Sequence, residues 1–385
     1  MTHLSAPTTL RRIARQRGLT LIELMVALVV GLMVILAAMS VFTATGRSSR
    51  TVDSAGQLRD DARFAAEIIQ RLAVQTGFED IGFVTRPYYG TPQAYKGGNG
   101  DDADPLTMQA PISGLSGKLP VASGPEILAG GNSYNGSDTL VLRYQSVNRP
   151  GSESDADGSM MLCDGSTLGA GAGHSATFRN HRAISVFYVG TDPNDGEPTL
   201  YCSYANDEGV GLSGPTPLVK GVESFNVLYG VDNIEPETAA DCRGSGGSSC
   251  ETEHAKLVPN RYLTADDMIV AGDTAATQTN WRRVRALRIG LVLRTNDRIR
   301  QADGSYRELP VQSGQAKAQQ SITPLGKNFG ASYAVNDARL RRDYIFTINV
   351  RNCLNQGYQS AGDPGSSAAA NIPPCDVVVP RDPNA

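Results

Sequence analysis

Glu23 is the only charged side chain between Leu19 and Phe42. From Leu24 to Phe42 the chain carries no charge, and Ser40 supplies the single polar side chain. Such a run, coiled as a helix, rises about 28 Å, close to the thickness of a bilayer's hydrocarbon. A charge placed there costs about 2.5 to 3.5 kcal/mol on insertion scales. A lone carboxylate at its start therefore asks for a partner of opposite sign. Ahead of the run stand Arg11, Arg12, Arg15 and Arg17, with no acid in the first eighteen residues. That basic flank holds the N-terminus on the cytoplasmic side and sends the rest of the chain outward.

The remaining reactive residue types do not assemble into a catalytic pattern. No G-x-S-x-G elbow occurs, and the "GLSG" stretches at Gly114 and Gly211 lack its spacing. There is no P-loop and no H-E-x-x-H. The four histidines are scattered and no C-x-x-C pair exists, which disfavours zinc. Neither an enzyme nor a cofactor is expected, and no metal site. Six cysteines, Cys163, Cys202, Cys242, Cys250, Cys353 and Cys375, read as disulfides in an exported chain. Proximity suggests Cys163–Cys202, Cys242–Cys250 and Cys353–Cys375, among fifteen connectivities. Acidic clusters at Asp101, Asp102 and Asp104, at Asp155 and Asp157, and at Asp192 and Asp195 have oxygen ligands suited to calcium. None matches the EF-hand loop, and solvated turns are the plainer reading. The formal net charge is −4. Removal of the first eighteen residues, with four arginines and no acid, takes it to about −8. An acidic exterior argues against nucleic acid as a partner.

The elements that must carry these residues follow from periodicity. Beyond the apolar run, Val52, Ala55, Leu58, Ala62, Ala65, Ala66, Ile69 and Leu72 recur three or four apart, one stripe of an amphipathic helix that Gly77 suits to end. Unbroken from Leu19 to Gln75, the helix would run about 85 Å. Thr85 to Ser137 is rich in Gly, Asp, Asn and Pro and reads as loop. After Asp138 the pattern alternates: "SDTLVLRYQS", then "AISVFYVG" and "PTLYCSY" as a hairpin around "TDPNDGE", then "LVKGVESFNVLYGVD", "RRVRALRIGLVLRT" and "RRDYIFTINVRN". These strands look amphipathic, with one face solvated and the other packed on the helix. The fold class is α+β, a long N-terminal helix whose C-terminal half packs on a largely antiparallel β-sheet head with long loops. The expected segments are 1–18, 19–45 for the apolar half of the helix, 46–78 for its amphipathic half, 79–352 for the head and 353–385 as a C-terminal extension.

Three readings compete for the N-terminus. A secretory signal peptide would have a shorter apolar core and no acid. A plain anchor leaves Glu23 unexplained. "RQRG" followed by "LTLIELMVAL" resembles the class III leader of type IV pilins and of type II secretion pseudopilins. The resemblance implies that a prepilin peptidase cuts between Gly18 and Leu19, that Leu19 is N-methylated, and that Glu23, then the fifth residue, meets the α-amino group of a neighbouring subunit. Position one is usually Phe in that family, and here it is Leu19. The order of the β segments, with "LVKGVESFNVLYGVD" the most specific, resembles the PilW family of minor pilins. That implies a type IV pilin-like fold and a subunit that helps initiate pilus assembly, with a place at the tip. Implied partners are other minor pilins and the major pilin, the prepilin peptidase, the inner-membrane assembly platform and a tip-associated adhesin. The head would be periplasmic before assembly and at the cell surface after it. The alternatives are a J-type minor pseudopilin of type II secretion, or an adhesive module at the pilus tip.

Overall fold

Thr20 caps a helix, α1 (Leu21–Gln75). A computed structural model describes residues 20–78, 95–96, 102–103, 109–123, 126–144, 146, 156–168, 182–206, 211–232, 234–239, 259–298, 320–325, 333–335, 337 and 339–350. After α1 come the short strands β1 (Tyr95–Lys96) and β2 (Asp102–Ala103), then β3 (Ile112–Leu115), β4 (Lys118–Ser123), β5 (Glu126–Asn132) and β6 (Thr139–Tyr144). Next are β7 (Ala183–Thr191), β8 (Pro198–Ala205), β9 (Ser213–Lys220), β10 (Val222–Val231) and β11 (Arg261–Leu263). The chain continues through α2 (Thr274–Arg282), β12 (Ala286–Arg298), β13 (Gln320–Ile322), β14 (Tyr333–Val335) and β15 (Arg339–Asn349).

The chain divides into two units, Met1–Gly56 and Gln57–Ala385, and α1 contributes to both. In the first unit the described residues from Leu21 onward are helical. Leu21–Phe42 is long and apolar enough to cross a membrane, with mean hydropathy 2.8 and none of it buried. Leu, Val, Met and Ala suit such a helix because nothing polar competes for its backbone.

In the second unit the helix buries Leu58, Ala62, Ala65, Ile69, Leu72 and Ala73. The stripe read from the sequence is thus real from Leu58 onward, while Val52 is exposed. Three of these are alanines. The helix stops where Gly77, at φ 72°, takes the left-handed conformation and donates its N–H to Arg143 O at 2.8 Å.

Among the described residues the two larger sheets of the head are antiparallel. One has the order β3-β6-β7-β8-β9 and the other β11-β10-β12-β15. Leu140, Leu142, Phe187, Leu200 and Cys202 of the first share a core with Phe225, Val227, Ile289, Leu291 and the α1 stripe. The hairpin β4–β5 adds a smaller second cluster, in which Ile127 packs on Val141, Ile184 and Val186.

Two sequence expectations change here. Strands β6 and β10 are buried at every position, so the solvated face expected of them does not exist. The outer face of β6 is covered by a segment expected to be loop. Thr85–Ser137 contains β3, β4 and β5, whose Gly and Pro content hid their pairing. The segment "LVKGVESFNVLYGVD" is also two strands, since Gly221 turns the chain from β9 in one sheet into β10 in the other. Its φ is 80°, and a Cβ there would lie 2.5 Å from Arg294 O. Only glycine fits that corner without strain.

Candidate assembly site

The site begins with the backbone that precedes Leu21. The first N–H groups of any helix have no internal acceptor. Glu23 N donates to Thr20 Oγ1 at 3.3 Å, and Glu23 Oε2 accepts from Thr20 N at 3.3 Å and Thr20 Oγ1 at 3.2 Å. This is a reciprocal capping box, T-x-x-E, with the carboxylate also placed favourably at the positive end of the helix dipole. The sequence reading missed it, although the signal, Thr20 three residues ahead of Glu23 before an apolar run, was present. Glu23 therefore stands at the end of the exposed apolar stretch, oriented by its own helix. Among the described residues, Oε1 of Glu23 has no hydrogen-bond partner. Gly18 and Leu19, the expected cleavage and methylation positions, lie outside the described residues.

The head carries two further polar constellations. At the Gly221 corner, Arg294 bonds Glu197 at 2.7 Å and Glu223 at 2.8 Å. Arg341 grips Glu223 at 2.6 and 2.8 Å and Asp337 at 2.5 Å, while Arg339 holds Glu197 at 2.8 Å. The arginines hold the Glu197 and Asp337 carboxyls below their usual range, against the desolvation that would raise them. Three cations meet three anions, so the cluster is balanced and pins β10, β12 and β15 to the β7–β8 turn. Its chemistry is structural.

The second is Asp138, between the Gly117 turn and β10. Its oxygens accept Gly117 N at 3.1 Å and Val227 N at 2.9 Å. Burial raises its pKa to about 6, against the pull of those two donors. It borders a cavity of about 310 Å³ that also touches Ser116, Asn226, Thr264 and Asp266. Among the described residues no three carboxylate, imidazole or thiol side chains gather closely enough to hold a metal.

The other expected sites fall as follows. Cys163 and Cys202 form a disulfide with Cα atoms 6.0 Å apart, joining the loop after β6 to the middle of β8. Cys242, Cys250, Cys353 and Cys375 lie outside the described residues, as do Asp101, Asp104 and Asp155. Asp157 accepts Ser159 N, a local turn bond. Asp192 and Asp195 both bind Lys220 Nζ, at 2.9 and 2.8 Å, and accept backbone N–H groups of the β7–β8 turn. Their lysine occupies the place a cation would take.

Residues 186–352 match the family described as Type IV Pilus-assembly protein W, and residues 13–39 match the prokaryotic N-terminal methylation motif. Over those stretches the chain is similar to PilW and to prepilin-type methylation motifs. The PilW match begins inside β7 and runs past the end of β15, so it takes in the Gly221 corner and the arginine–carboxylate cluster. Strands β3 to β6 and the disulfide partner Cys163 precede it. The methylation motif spans Gly18, Leu19, the capping box and most of the apolar run. A type IV-like pilin from Thermus thermophilus is 13% identical, the match covering 77% of this chain and 97% of that one with a TM-score of 0.31. No curated protein matches. In this PilW-like chain the exposed apolar helix and the methylation motif together fit a membrane-anchored pilin.

Proposed function

We propose that this PilW-like pilin takes part in initiating type IV pilus assembly and ends at the pilus tip. The observation that carries the reading is the coincidence of a PilW head with a methylation motif whose lone carboxylate starts an exposed membrane-length helix. A prepilin peptidase would cut between Gly18 and Leu19, and Leu19 would be methylated. The chain would wait in the inner membrane with its N-terminus cytoplasmic, as its four leading arginines favour. Glu23 would pair with the α-amino group of a neighbouring minor or major pilin as the assembly platform lifts the complex. Bundled helices would keep their apolar sides from water once outside the bilayer. A head of this size suits a terminal position, where it need not repeat along a shaft, and a tip-associated adhesin could sit beside it. The role is read as structural: the sequence carries no recognised catalytic motif, and at the Gly221 corner three arginines face three carboxylates.

Intact mass and N-terminal sequencing of the protein from cells with and without the prepilin peptidase test the first step. A mature chain starting at Leu19, seen only with the peptidase, is expected. A start near Phe42 would mean an ordinary signal peptide and would sink the proposal. Gold labelling of the head should mark pilus ends, and label spread along shafts would remove the tip assignment.

A further inference from the structure

Phe225 and Val227 of β10 turn into the core, so Asn226 between them faces the opposite side of the sheet. Its neighbour on β12 is Gly290, where a Cβ would lie 2.9 Å from the Leu325 side chain and 3.1 Å from Pro324 Cβ. Glycine there lets Pro324 and Leu325 lie against the sheet, and Leu325 becomes a wall of the cavity of about 310 Å³ beside Asp138. The Gly117 and Gly136 turns, Thr264 and Asp266 complete it. Asp266 is exposed, and Ser116, Gly117 and Leu325 are half-buried, so the cavity opens to solvent.

Asn226 is only 1% exposed, and the two ends of its amide differ. Oδ1 accepts from Ser224 Oγ at 2.7 Å, while Nδ2 has no hydrogen-bond partner among the described residues. The reverse orientation would turn Oδ1 toward the Asp138 carboxylate, so repulsion between oxygens favours the one seen. Burial raises the Asp138 pKa, and the nearby Asn226 amide is among the groups that oppose the rise, yet Nδ2 stays outside hydrogen-bond geometry. A buried donor without an acceptor is costly, so this one points to a molecule that fills the cavity. The acceptors are at hand as well. Each Asp138 oxygen takes one backbone N–H and keeps a further lone pair. Ser116 Oγ accepts Asp266 N at 3.3 Å and keeps its own hydrogen to donate. Asp266 adds a second carboxylate at the mouth.

These groups select among ligands. An anion would meet two carboxylates. A bare cation would suit the carboxylates but would face the amide hydrogens of Asn226. A hydroxyl satisfies both, since its oxygen accepts from Nδ2 while its hydrogen goes to a carboxylate. A peptide amide also offers a donor and an acceptor, but one of each, whereas acceptors outnumber donors here. We propose that the cavity binds a neutral sugar unit, with one hydroxyl between Asn226 Nδ2 and Asp138 and its ring neighbours reaching Asp266 and Ser116. The C–H face of the ring would lie on Leu325. The volume is at the lower end for small-molecule pockets, which suits one hexose rather than a long chain. Asn226, Asp266 and Leu325 fall within the PilW match, while Ser116 and Asp138 precede it. The inference rests on the head alone and not on the assembly reading, and it would add saccharide binding to that role.

The test is a titration of the full chain, labelled with nitrogen-15, in micelles of a detergent without a sugar headgroup. The probes are glucose, galactose, mannose and N-acetylglucosamine. The side-chain amide signals of Asn226 should shift with at least one of them, at a dissociation constant of ~1 mM, the range a ligand of this size reaches. Asn226→Ala and Asp266→Asn should each weaken binding about tenfold. Fluorescence of the buried Trp281 reports whether each variant is folded, and the exposed Asp266 keeps the test open should Asn226→Ala unfold. A response to N-acetylglucosamine alone would support the proposal with a cell-wall glycan as the source. A response to the unacetylated hexoses would support it with a saccharide outside the cell. Unmoved Asn226 signals with every sugar would overturn it and leave water as the occupant. So would a folded variant that binds like the parent. Shifts produced by N-methylacetamide or by calcium chloride, and not by sugars, would give the cavity to a peptide or to a cation instead.

Discussion

Replacing Gly221 by alanine should cost the head about 3 kcal/mol, and the figure can be worked from the corner's geometry. The φ of 80° puts an L-residue in the left-handed region, at about 1 to 2 kcal/mol. A Cβ would then lie 2.5 Å from Arg294 O, a backbone atom in the middle of β12. Relief requires β12 and β10 to separate locally. That endangers the bond from Arg294 N to Gly221 O, worth about 1 kcal/mol, and adds an overpacking cost of about 1 to 3 kcal/mol. Against these, alanine restricts the unfolded chain and returns up to about 1 kcal/mol. Gly272 is the control: its φ is 77°, yet nothing lies within 4 Å of a Cβ there. Gly272→Ala therefore meets the dihedral penalty without the collision. Trp281 is the only tryptophan, is buried, and packs edge-on to Tyr229 with ring centroids 4.7 Å apart. Its fluorescence reports unfolding of the head in urea. With a slope of about 3 kcal/mol/M, Gly221→Ala should lower the midpoint by about 1 M at unchanged slope, and Gly272→Ala by less than about 0.7 M. Equal shifts in the two variants would refute the steric reasoning, leaving backbone conformation as the only term.

Other outcomes follow from the same structure. Glu223→Gln removes the carboxylate shared by Arg294 and Arg341 and should cost about 3 to 5 kcal/mol by urea titration, with little relief from added salt because the cluster is buried. Cys163→Ser with Cys202→Ser opens a loop of sequence separation 39 and should cost about 4 kcal/mol on the chain-entropy relation, measured as a lower thermal midpoint. Asp138 has its folded pKa raised from 3.8 to about 6, so its protonated form favours the fold. That contribution is complete below about pH 4 and is lost as pH rises through 6, so the stability difference between Asp138→Asn and the parent should change between pH 4 and 6 and be flat above 7. Under the proposed function, Glu23→Gln keeps an acceptor for Thr20 but loses the charge, so processed protein should accumulate in the membrane while its recovery in sheared pili falls.

What the sequence made legible depended on whether one principle acted alone. The helix, the β7–β8 hairpin and the inward residues of β12 were readable because period and burial agreed. Strands β4 and β5 were not. Their task is to cover the outer face of another sheet with Ile127, and a single apolar contact in a Gly-rich hairpin leaves no periodic trace. Gly221 was hidden for the opposite reason. Apolar residues continue on both sides of it, so the break between sheets is a backbone event that a hydropathy pattern does not register. The arginine–carboxylate cluster draws Glu197, Glu223, Arg294, Asp337, Arg339 and Arg341 from four separated segments, which meet only once both sheets are formed. The lysine between Asp192 and Asp195 escaped in the same way, because Lys220 arrives from the next strand.

Glu23 shows how a residue read correctly for its cost can still be read incompletely for its bonds. Cost raised the question of a partner, and the resemblance to prepilin leaders pointed to another subunit. The structure supplies a first partner within the chain, since Thr20 and Glu23 close the helix start between them. The two demands are compatible because a carboxylate has two oxygens. Thr20 occupies Oε2, and under the proposed function Oε1 would take the amine. A cap worth about 1 kcal/mol cannot compensate an ion in hydrocarbon, so it does not make the incoming charge unnecessary. It does fix the direction in which the carboxylate points, which lowers the entropy that pairing must later remove. Replacing Thr20 should on this argument weaken assembly without abolishing it, whereas removing the charge of Glu23 removes the reason for the pair.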